Sequence, residues 1–155
     1  MGYVRDMRRF IGHRTLMIVG AAVILEDARG RILLQRRTDN HCWDYAGGCV
    51  ELDEPVEDAA RRELYEETGL TAGALELLGV FSGPETHYTY PNGDDVSIVN
   101  TVYVCRDWTG ELTPQPEEVE ELRFFPPEQL PPMDQIGPPS RVVLKAYLER
   151  RQAAR

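Results

Sequence analysis

A stretch of the chain at 47–70 concentrates acidic side chains. Its sequence, GGCVELDEPVEDAARRELYEETGL, contains eight carboxylates. The spacing predicts a helix over 55–68, because Pro55 suits a first helical position and Gly69 suits the position just after a helix. The question is whether these acids are ligands or a solvated surface.

Glu63, Glu66 and Glu67 are spaced i, i+3 and i+4, so we expect them on one face of this helix, roughly opposite an apolar stripe. The stripe consists of Val56, Ala60 and Leu64. Like charges at these spacings cost about 0.2–0.5 kcal/mol per pair on an exposed helix. Carboxylates clustered without histidine or cysteine favour Mg²⁺ or Mn²⁺. The alternative is a solvated face, with adjacent arginines relieving the repulsion.

The elements that must position these acids follow from hydrophobic periodicity and turn signals. In chain order they are a helix at 3–11, a hairpin of strands at 16–25 and 31–37, the helix at 55–68, strands near 75–81, 86–90, 96–108 and 122–125, and a helix at 139–151. We predict a single α/β domain over 1–155, with a mixed central β-sheet between helices. The first and last helices are expected to lie away from the functional cleft.

Charge and composition limit the classes of partner. The net charge is −9, which repels the phosphates of nucleic-acid polymers but leaves a small phosphorylated ligand open if cations bridge it. No apolar run approaches the roughly 18 residues of a membrane span. The three cysteines match no metal or disulfide spacing, and the start of the chain does not look like a signal peptide. We therefore expect a cytoplasmic protein with reduced thiols.

The spacing GX5EX7REUXEEXGU, where U is aliphatic, is met in full between Gly48 and Leu70. Chance agreement at all nine specified positions is on the order of 10⁻⁸. The chain closely resembles the Nudix hydrolases, the MutT-like family, whose motif, the Nudix box, would be residues 48–70. The lead-in RRTDNHCWDYAGG also resembles the family's, except that Ala46 stands where proline is common before the double glycine.

The resemblance implies a Nudix fold (α/β/α) and a Mg²⁺-dependent reaction, with Mn²⁺ as an alternative ion. Its metal ligands would be Glu63, Glu66, Glu67 and the backbone carbonyl of Gly47. It also implies catalytic roles for Glu66 and Glu67, and it places Arg62 and Glu54 behind them, where an arginine fork holds carboxylates in position. One further acid is expected from a downstream loop, and of Glu117, Glu118, Glu120 and Glu121 we favour Glu118.

Candidate substrate-binding residues lie outside the motif. They are Arg36, Trp43, His87, Tyr88 and Tyr90. Aromatic rings can stack on any base, and an arginine can form charged hydrogen bonds with a phosphate. Strand alternation puts Arg36 and Arg37 on opposite faces, so at most one of them is expected to contact substrate. For the aromatic residues, packing within strands or the core is the competing interpretation.

The leading hypothesis is a hydrolase that cleaves a pyrophosphate bond in a nucleoside diphosphate linked to another group. Nucleoside triphosphates (including oxidised ones), ADP-ribose-like compounds and dinucleoside polyphosphates compete as substrates. The alternatives are a nucleotide-sensing module on the same fold and an interaction domain whose acidic helix is only surface. A homodimer is compatible with the resemblance, but the sequence leaves the oligomeric state open.

Overall fold

The computed structural model describes residues 2–154, so Met1 and Arg155 of the predicted domain lie outside it. Three α-helices are present: α1 (Tyr3–Ile11), α2 (Val56–Thr68) and α3 (Pro138–Ala153). The strands are β1 (Leu16–Leu25), β2 (Ile32–Arg37), β3 (Trp43–Asp44), β4 (Ala46–Cys49), β5 (Thr71–Ala72), β6 (Glu76–Phe81), β7 (His87–Thr89), β8 (Asp95–Cys105), β9 (Trp108–Thr109) and β10 (Val119–Phe125). Short 3₁₀ segments cover Pro84–Thr86, Pro127–Gln129 and Met133–Gln135.

The strands form one large mixed sheet and two small ones. The large sheet has the order β4-β1-β8-β6, with β7 also paired to β8. Strands β1 and β8 run parallel along their length, and all other pairs are antiparallel. A second sheet has the order β10-β2-β3, and β5 pairs with β9.

The predicted hairpin of β1 and β2 is wrong. The turn after β1 is present, held by the Asp27 carboxylate, which accepts N–H bonds from Arg29 and Arg31. Beyond it only one bridge, Glu26 to Ile32, joins the two segments. Both edges of β1 are already occupied, by β4 and β8, so β2 pairs in the other sheet instead.

Two buried clusters fill the spaces on either side of the large sheet. One lies under α2 and includes Ala21, Val23 and Leu64, while the other lies between the sheets and α3 and includes Ile24 and Leu144. The alternation along β1 sends successive side chains to the two clusters. The predicted mixed sheet between helices is therefore confirmed.

Helix boundaries lie close to those predicted. Helix α2 begins at Val56, with Pro55 as its N-cap, and ends at Thr68. Gly69 follows as the C-cap, and its φ of 78° is the left-handed conformation that glycine adopts readily. Helix α3 begins at Pro138 and continues to Ala153. Among residues 2–154, no helix has the length and apolar character needed to cross a membrane.

Candidate active site

The acidic helix α2 packs across β4, and two glycines allow the close approach. A Cβ on Gly47 would lie 2.7 Å from the Cβ of Ala22 and 2.8 Å from the carbonyl of Ala21. A Cβ on Gly48 would collide with the carboxylate of Glu63. The double glycine therefore lets the helix carboxylates lie directly against the strand backbone.

Glu67 is buried, only 4% exposed, whereas the Glu66 side chain is half exposed, so the alternative of a solvated face shared by all three glutamates does not hold. Its carboxylate accepts a 2.8 Å bond from the Gly47 N–H and a 3.1 Å bond from the Gln35 amide. Burial raises the pKa of Glu67 to about 8 against the lowering effect of the Gly47 bond, and the negative charge of Glu63 adds to the rise. A carboxylate in this environment gains from a neighbouring cation.

Arg62 holds the other acids of the helix. Its guanidinium lies 2.8 Å from carboxylate oxygens of both Glu54 and Glu63, and 3.3 Å from Glu66. It also donates to the carbonyl of Cys49. Burial raises the pKa of Glu63, while Arg62 opposes that shift. These contacts make Arg62 a positioning residue between the helix and the loop before it.

Glu63 and Glu67 open into an acidic pocket, which we define by these two residues with Glu117, Glu118 and Arg37. The charge of Glu118 contributes to the raised pKa of Glu63, so the two carboxylates are neighbours. The other two candidates from that loop face elsewhere. Glu120 forms ion pairs with His41 and Arg36, and Glu121 forms one with Arg123.

The donors in the acidic pocket fit a hard divalent ion. They are carboxylate and backbone oxygens, the ligand set that Mg²⁺ prefers. Within residues 2–154, no three carboxylate, histidine or cysteine side chains converge as a preassembled metal cluster. The side-chain oxygen of Gln35, beside Glu67, is buried without a hydrogen-bond partner.

A central cleft adjoins the acidic pocket, and both share Arg37, Gly47, Gly48 and Tyr90 in their walls. The cleft lies on the face of β1 and β8 that is turned toward β3 and the start of α3. Its lining includes Ile18, Asn40, Asp44, Tyr45, Tyr88, Ile98, Asn100 and Ser140. An elongated ligand can therefore place one part in the cleft and another beside the glutamates.

Arg37, not Arg36, faces this composite site. The Arg37 guanidinium forms a paired contact with Asp39, at 2.9 and 2.8 Å, and its hydrogen bond to that carboxylate raises its pKa. Arg36 points to the other side of β2, where it contacts the carbonyl of His41 and the carboxylate of Glu120. The proposed substrate role of Arg36 is therefore corrected in favour of Arg37.

The aromatic candidates divide into two pairs. Tyr88 and Tyr90 line the cleft and pack edge to face, with ring centroids 5.0 Å apart. Trp43 is instead a core residue, 6% exposed and packed edge to face on Phe125. His87 precedes Tyr88 in β7, and successive side chains of a strand point to opposite faces, so His87 faces away from the cleft. Its ring forms a hydrogen bond with the Asp95 carboxylate. Neither Trp43 nor His87 lines the cleft.

The polar residues of the cleft that were not predicted include Asp44, Asn100 and Ser140. Asp44 accepts a 2.5 Å bond from the Ser140 hydroxyl, and Asn100 donates a 3.3 Å bond to the Tyr45 hydroxyl. Burial raises the pKa of Asp44 to about 6. Asn100 carried no signal of its own, since β8 also contains the polar residues Ser97 and Thr101. Ser140 also corrects the expectation that the last helix avoids the cleft, because the first turn of α3 lines it.

Comparison with known proteins identifies the family. The NUDIX domain model matches residues 17–147. An ADP-ribose pyrophosphatase of Methanocaldococcus jannaschii is 35% identical over 130 residues, covering 82% of this chain and 72% of that protein. A MutT-like protein of Streptomyces ambofaciens is 46% identical over 63 residues, 41% of this chain, and the match spans only 40% of its length. A MutT Nudix hydrolase structure from Burkholderia pseudomallei superimposes with a TM-score of 0.71 and 30% identity, covering 84% of this chain and 98% of that one.

The chain thus belongs to the Nudix family, and the predicted Nudix fold is confirmed. Its relatives indicate a pyrophosphohydrolase.

Proposed function

We propose that the chain is a Mg²⁺-dependent hydrolase that cleaves a pyrophosphate bond in a nucleoside diphosphate linked to another group. The observation that carries this proposal is the joining of the central cleft to the acidic pocket through Arg37 and the double glycine. Family membership supports it, since Nudix hydrolases generally use divalent metal ions.

The metal would be held by Glu63, Glu66, Glu67 and the Gly47 carbonyl. A bound divalent ion supplies Lewis-acid polarisation of phosphate oxygens and lowers the pKa of water for attack on phosphorus. The chain's own groups do the remaining work. Arg62 would fix the glutamate rotamers, and Glu118, beside Glu63, would accept the proton of the attacking water.

On the substrate side, Arg37 would bind phosphate while Tyr88 and Tyr90 stack against a base. The guanidinium at the junction of the two spaces suits a charged pyrophosphate, and tyrosine faces suit any planar ring. Relatives named ADP-ribose pyrophosphatase and putative 8-oxo-dGTP diphosphatase support a small nucleotide-type substrate. Nucleoside triphosphates, ADP-ribose-like compounds and dinucleoside polyphosphates remain the candidates.

The test is product release from a panel of nucleoside triphosphates with and without 8-oxo bases, ADP-ribose, dinucleoside polyphosphates and nucleotide sugars, each with and without Mg²⁺. We expect Mg²⁺-dependent cleavage of one class. Glu67→Gln should lower kcat by about 100-fold or more while keeping the fold, because the amide oxygen still accepts from Gly47 but a metal ligand charge is lost. Near-wild-type kcat in this variant would remove Glu67 from the metal site.

The competing function is a sensor that binds nucleotide without turnover. Ligand binding in the absence of cleavage across the whole panel, with Mg²⁺ still raising the melting temperature, would favour it. The presence of Glu63, Glu67 and Glu118 in one pocket argues for catalysis, because binding alone does not require so many acids.

A further inference from the structure

Helix α1 covers one charged side chain although it buries none of its residues fully. Its nine residues lie before 17–147, the range that the family model matches, and none of them is fully buried. The described walls of the central cleft do not include α1. Even so, the side chain of Arg8 is only 12% exposed. A charged group loses hydration when it is covered, so the partners of Arg8 indicate what this helix holds in place.

The guanidinium of Arg8 joins the segment after α1 to the beginning of β8. One of its terminal nitrogens donates to the carbonyls of Gly12 and Arg14, at 3.0 and 2.6 Å. The other donates to the carbonyl of Asp95 at 2.7 Å, and Nε lies 3.7 Å from the Asp94 carboxylate. The planar fork reaches both sides at once, which the single ammonium of a lysine does not do.

The carboxylate of Asp95 connects the same segment to β7. It accepts hydrogen bonds from the hydroxyls of Thr15 and Thr89, at 2.5 and 2.6 Å, and forms a third with the His87 ring at 2.7 Å. The Thr15 bond is the main reason why the pKa of Asp95 falls to about 2, so the carboxylate is ionised at neutral pH. Hydrogen bonds to an ionised acceptor are stronger than neutral ones. We call this group the Asp95 cluster; it consists of Arg8, Thr15, His87, Thr89 and Asp95.

The Asp95 cluster lies behind the two tyrosines of the cleft wall. His87 and Thr89 point to one face of β7, so Tyr88 points to the other, where it lines the cleft together with Tyr90. Strand β7 is three residues long, and the backbone pairing described for it is with β8 alone. Such a short two-stranded ribbon is marginally stable by itself. The cluster therefore fixes the back of a strand whose front is a cleft wall.

Helix α1 is also tied to the loop of the Nudix box. The carboxylate of Glu51 accepts the Tyr3 N–H at 2.8 Å, at the positive end of the α1 dipole. The Glu51 N–H bonds in turn to Glu54, which pairs with Arg62. One end of the helix is thus held beside the acidic helix α2 and the segment after its other end beside the tyrosines.

We propose that Arg8 and Thr15 are positioning residues for the substrate: through Asp95 they hold Tyr88 and Tyr90 in the cleft wall and thereby set the affinity for the nucleotide. This inference rests on the proposed function, in which the two tyrosines contact the base. The metal-binding acids belong to α2 and are held by Arg62, so the chemical step does not depend on the Asp95 cluster. Loss of the cluster should weaken substrate binding and leave turnover at saturation almost unchanged.

The kinetic test compares two variants of these residues with two controls. Arg8→Gln should raise KM by about tenfold and Thr15→Val by about threefold, because each loses hydrogen bonds that hold the start of β8. In both, kcat should stay within about twofold of wild type. Thr15→Ser keeps the hydroxyl and should restore the wild-type KM. Arg9→Gln is the matched control, an exposed arginine of the same helix, and should change neither constant.

Hydrogen exchange measured by mass spectrometry follows the position of β7 without any substrate. In Arg8→Gln, peptides covering 87–95 should exchange faster than in wild type, because the N–H groups of Tyr90 and Gly93 close the turn beside the lost contact. Peptides covering 56–68 should exchange as in wild type. A purely stabilising role for Arg8 would lower the melting temperature and raise exchange throughout the chain without changing KM.

Calorimetric titration separates a failure of this inference from a failure of the proposed hydrolase. ADP-ribose, ATP, GTP and diadenosine tetraphosphate are titrated into wild type and Arg8→Gln with Ca²⁺ in place of Mg²⁺. A wild type that binds one of them without cleaving it in Mg²⁺ contradicts the hydrolase alone, and weaker binding by Arg8→Gln still supports the positioning role. Equal affinity or equal KM in wild type and Arg8→Gln, or unchanged exchange at 87–95, overturns the positioning role alone. A wild type that binds none of these ligands overturns both.

Discussion

At the scale of single residues, the site depends on the direction in which adjacent side chains point. Arg36 and Arg37 are neighbours in sequence, yet only Arg37 reaches the junction of the cleft and the acidic pocket. Strand alternation predicted that the two side chains point to opposite faces of β2, but it did not indicate which of these faces borders the cleft. That information comes from the pairing of β2 with β3 and β10.

The two arginines give a matched test. Arg37→Lys should lower kcat/KM by about tenfold or more, since lysine keeps the charge but loses the paired contact with Asp39 that holds the side chain at the junction. Arg36→Lys should change it by no more than about twofold, because this residue contacts only the surface partners His41 and Glu120. Steady-state kinetics on the identified substrate measure both. The reverse order would contradict the assignment.

Asp44 gives a prediction about pH. Its pKa is raised by burial from 3.8 to about 6, so the folded state binds more protons than the unfolded state between these values. Its contribution to the unfolding free energy therefore falls as pH rises through this window. Asp44→Asn removes the cost of the buried charge and should be about 3 kcal/mol more stable than wild type at pH near 8.

Urea denaturation at a series of pH values measures this effect. The two proteins should converge in stability below about pH 3, where the wild-type carboxyl is protonated in both states. Asp39→Asn is the control of opposite sign, because hydrogen bonding to Arg37 lowers the pKa of Asp39, and its loss should destabilise at pH near 8. If Asp44→Asn is less stable than wild type at that pH, the cost of burying the Asp44 charge does not dominate its contribution to the unfolding free energy.

At the scale of elements, the sequence predicted which segments are helices and strands better than how they pair. The long strands and all three helices lie where periodicity placed them. The hairpin failed because pairing depends on which strand edges are free, and a distant segment, β8, takes the edge of β1. Short strands such as β3, only two residues long, carry no periodicity that could have revealed them.

The helix α2 shows the same limit. Spacing placed Glu63, Glu66 and Glu67 together, but the burial of Glu67 follows from the packing of the helix C-terminal half on β4, which helical spacing alone does not contain. The double glycine was the available signal, since two consecutive residues without a Cβ mark a close approach.

The two glycines of β4 should respond differently to alanine. Gly47→Ala meets a neighbouring strand and should cost about 1–3 kcal/mol of unfolding free energy, because its Cβ collides with Ala22 and with a backbone carbonyl. Gly48→Ala meets only the end of the Glu63 side chain, which can move. It should therefore lose less stability and more activity. Thermal melts and kcat measured in parallel test this contrast, and equal effects on both quantities would contradict it.

At the scale of the whole molecule, the two faces of the large sheet have different roles. One face, with β3 and the start of α3, forms the cleft, and the other is covered by α2 over only part of its area. The acidic pocket and the cleft adjoin each other at Gly47 and Gly48 of β4, which line both spaces. The sequence motif was enough to predict the family and the acidic helix. The cleft could not be predicted from a local motif, because it is assembled from segments up to about 120 residues apart, such as those of Ile18 and Ser140.

The central claim is that the acids of α2 bind a divalent metal rather than form a solvated face. The most direct measurement is the melting temperature with and without Mg²⁺ for the wild type, Glu67→Gln and Asp58→Asn, the last an exposed acid in the first turn of the same helix. Binding to the folded state alone raises the melting temperature. We predict a rise of several degrees for the wild type and Asp58→Asn and little or none for Glu67→Gln. No rise in any of them, or the same rise in all three, would contradict the account.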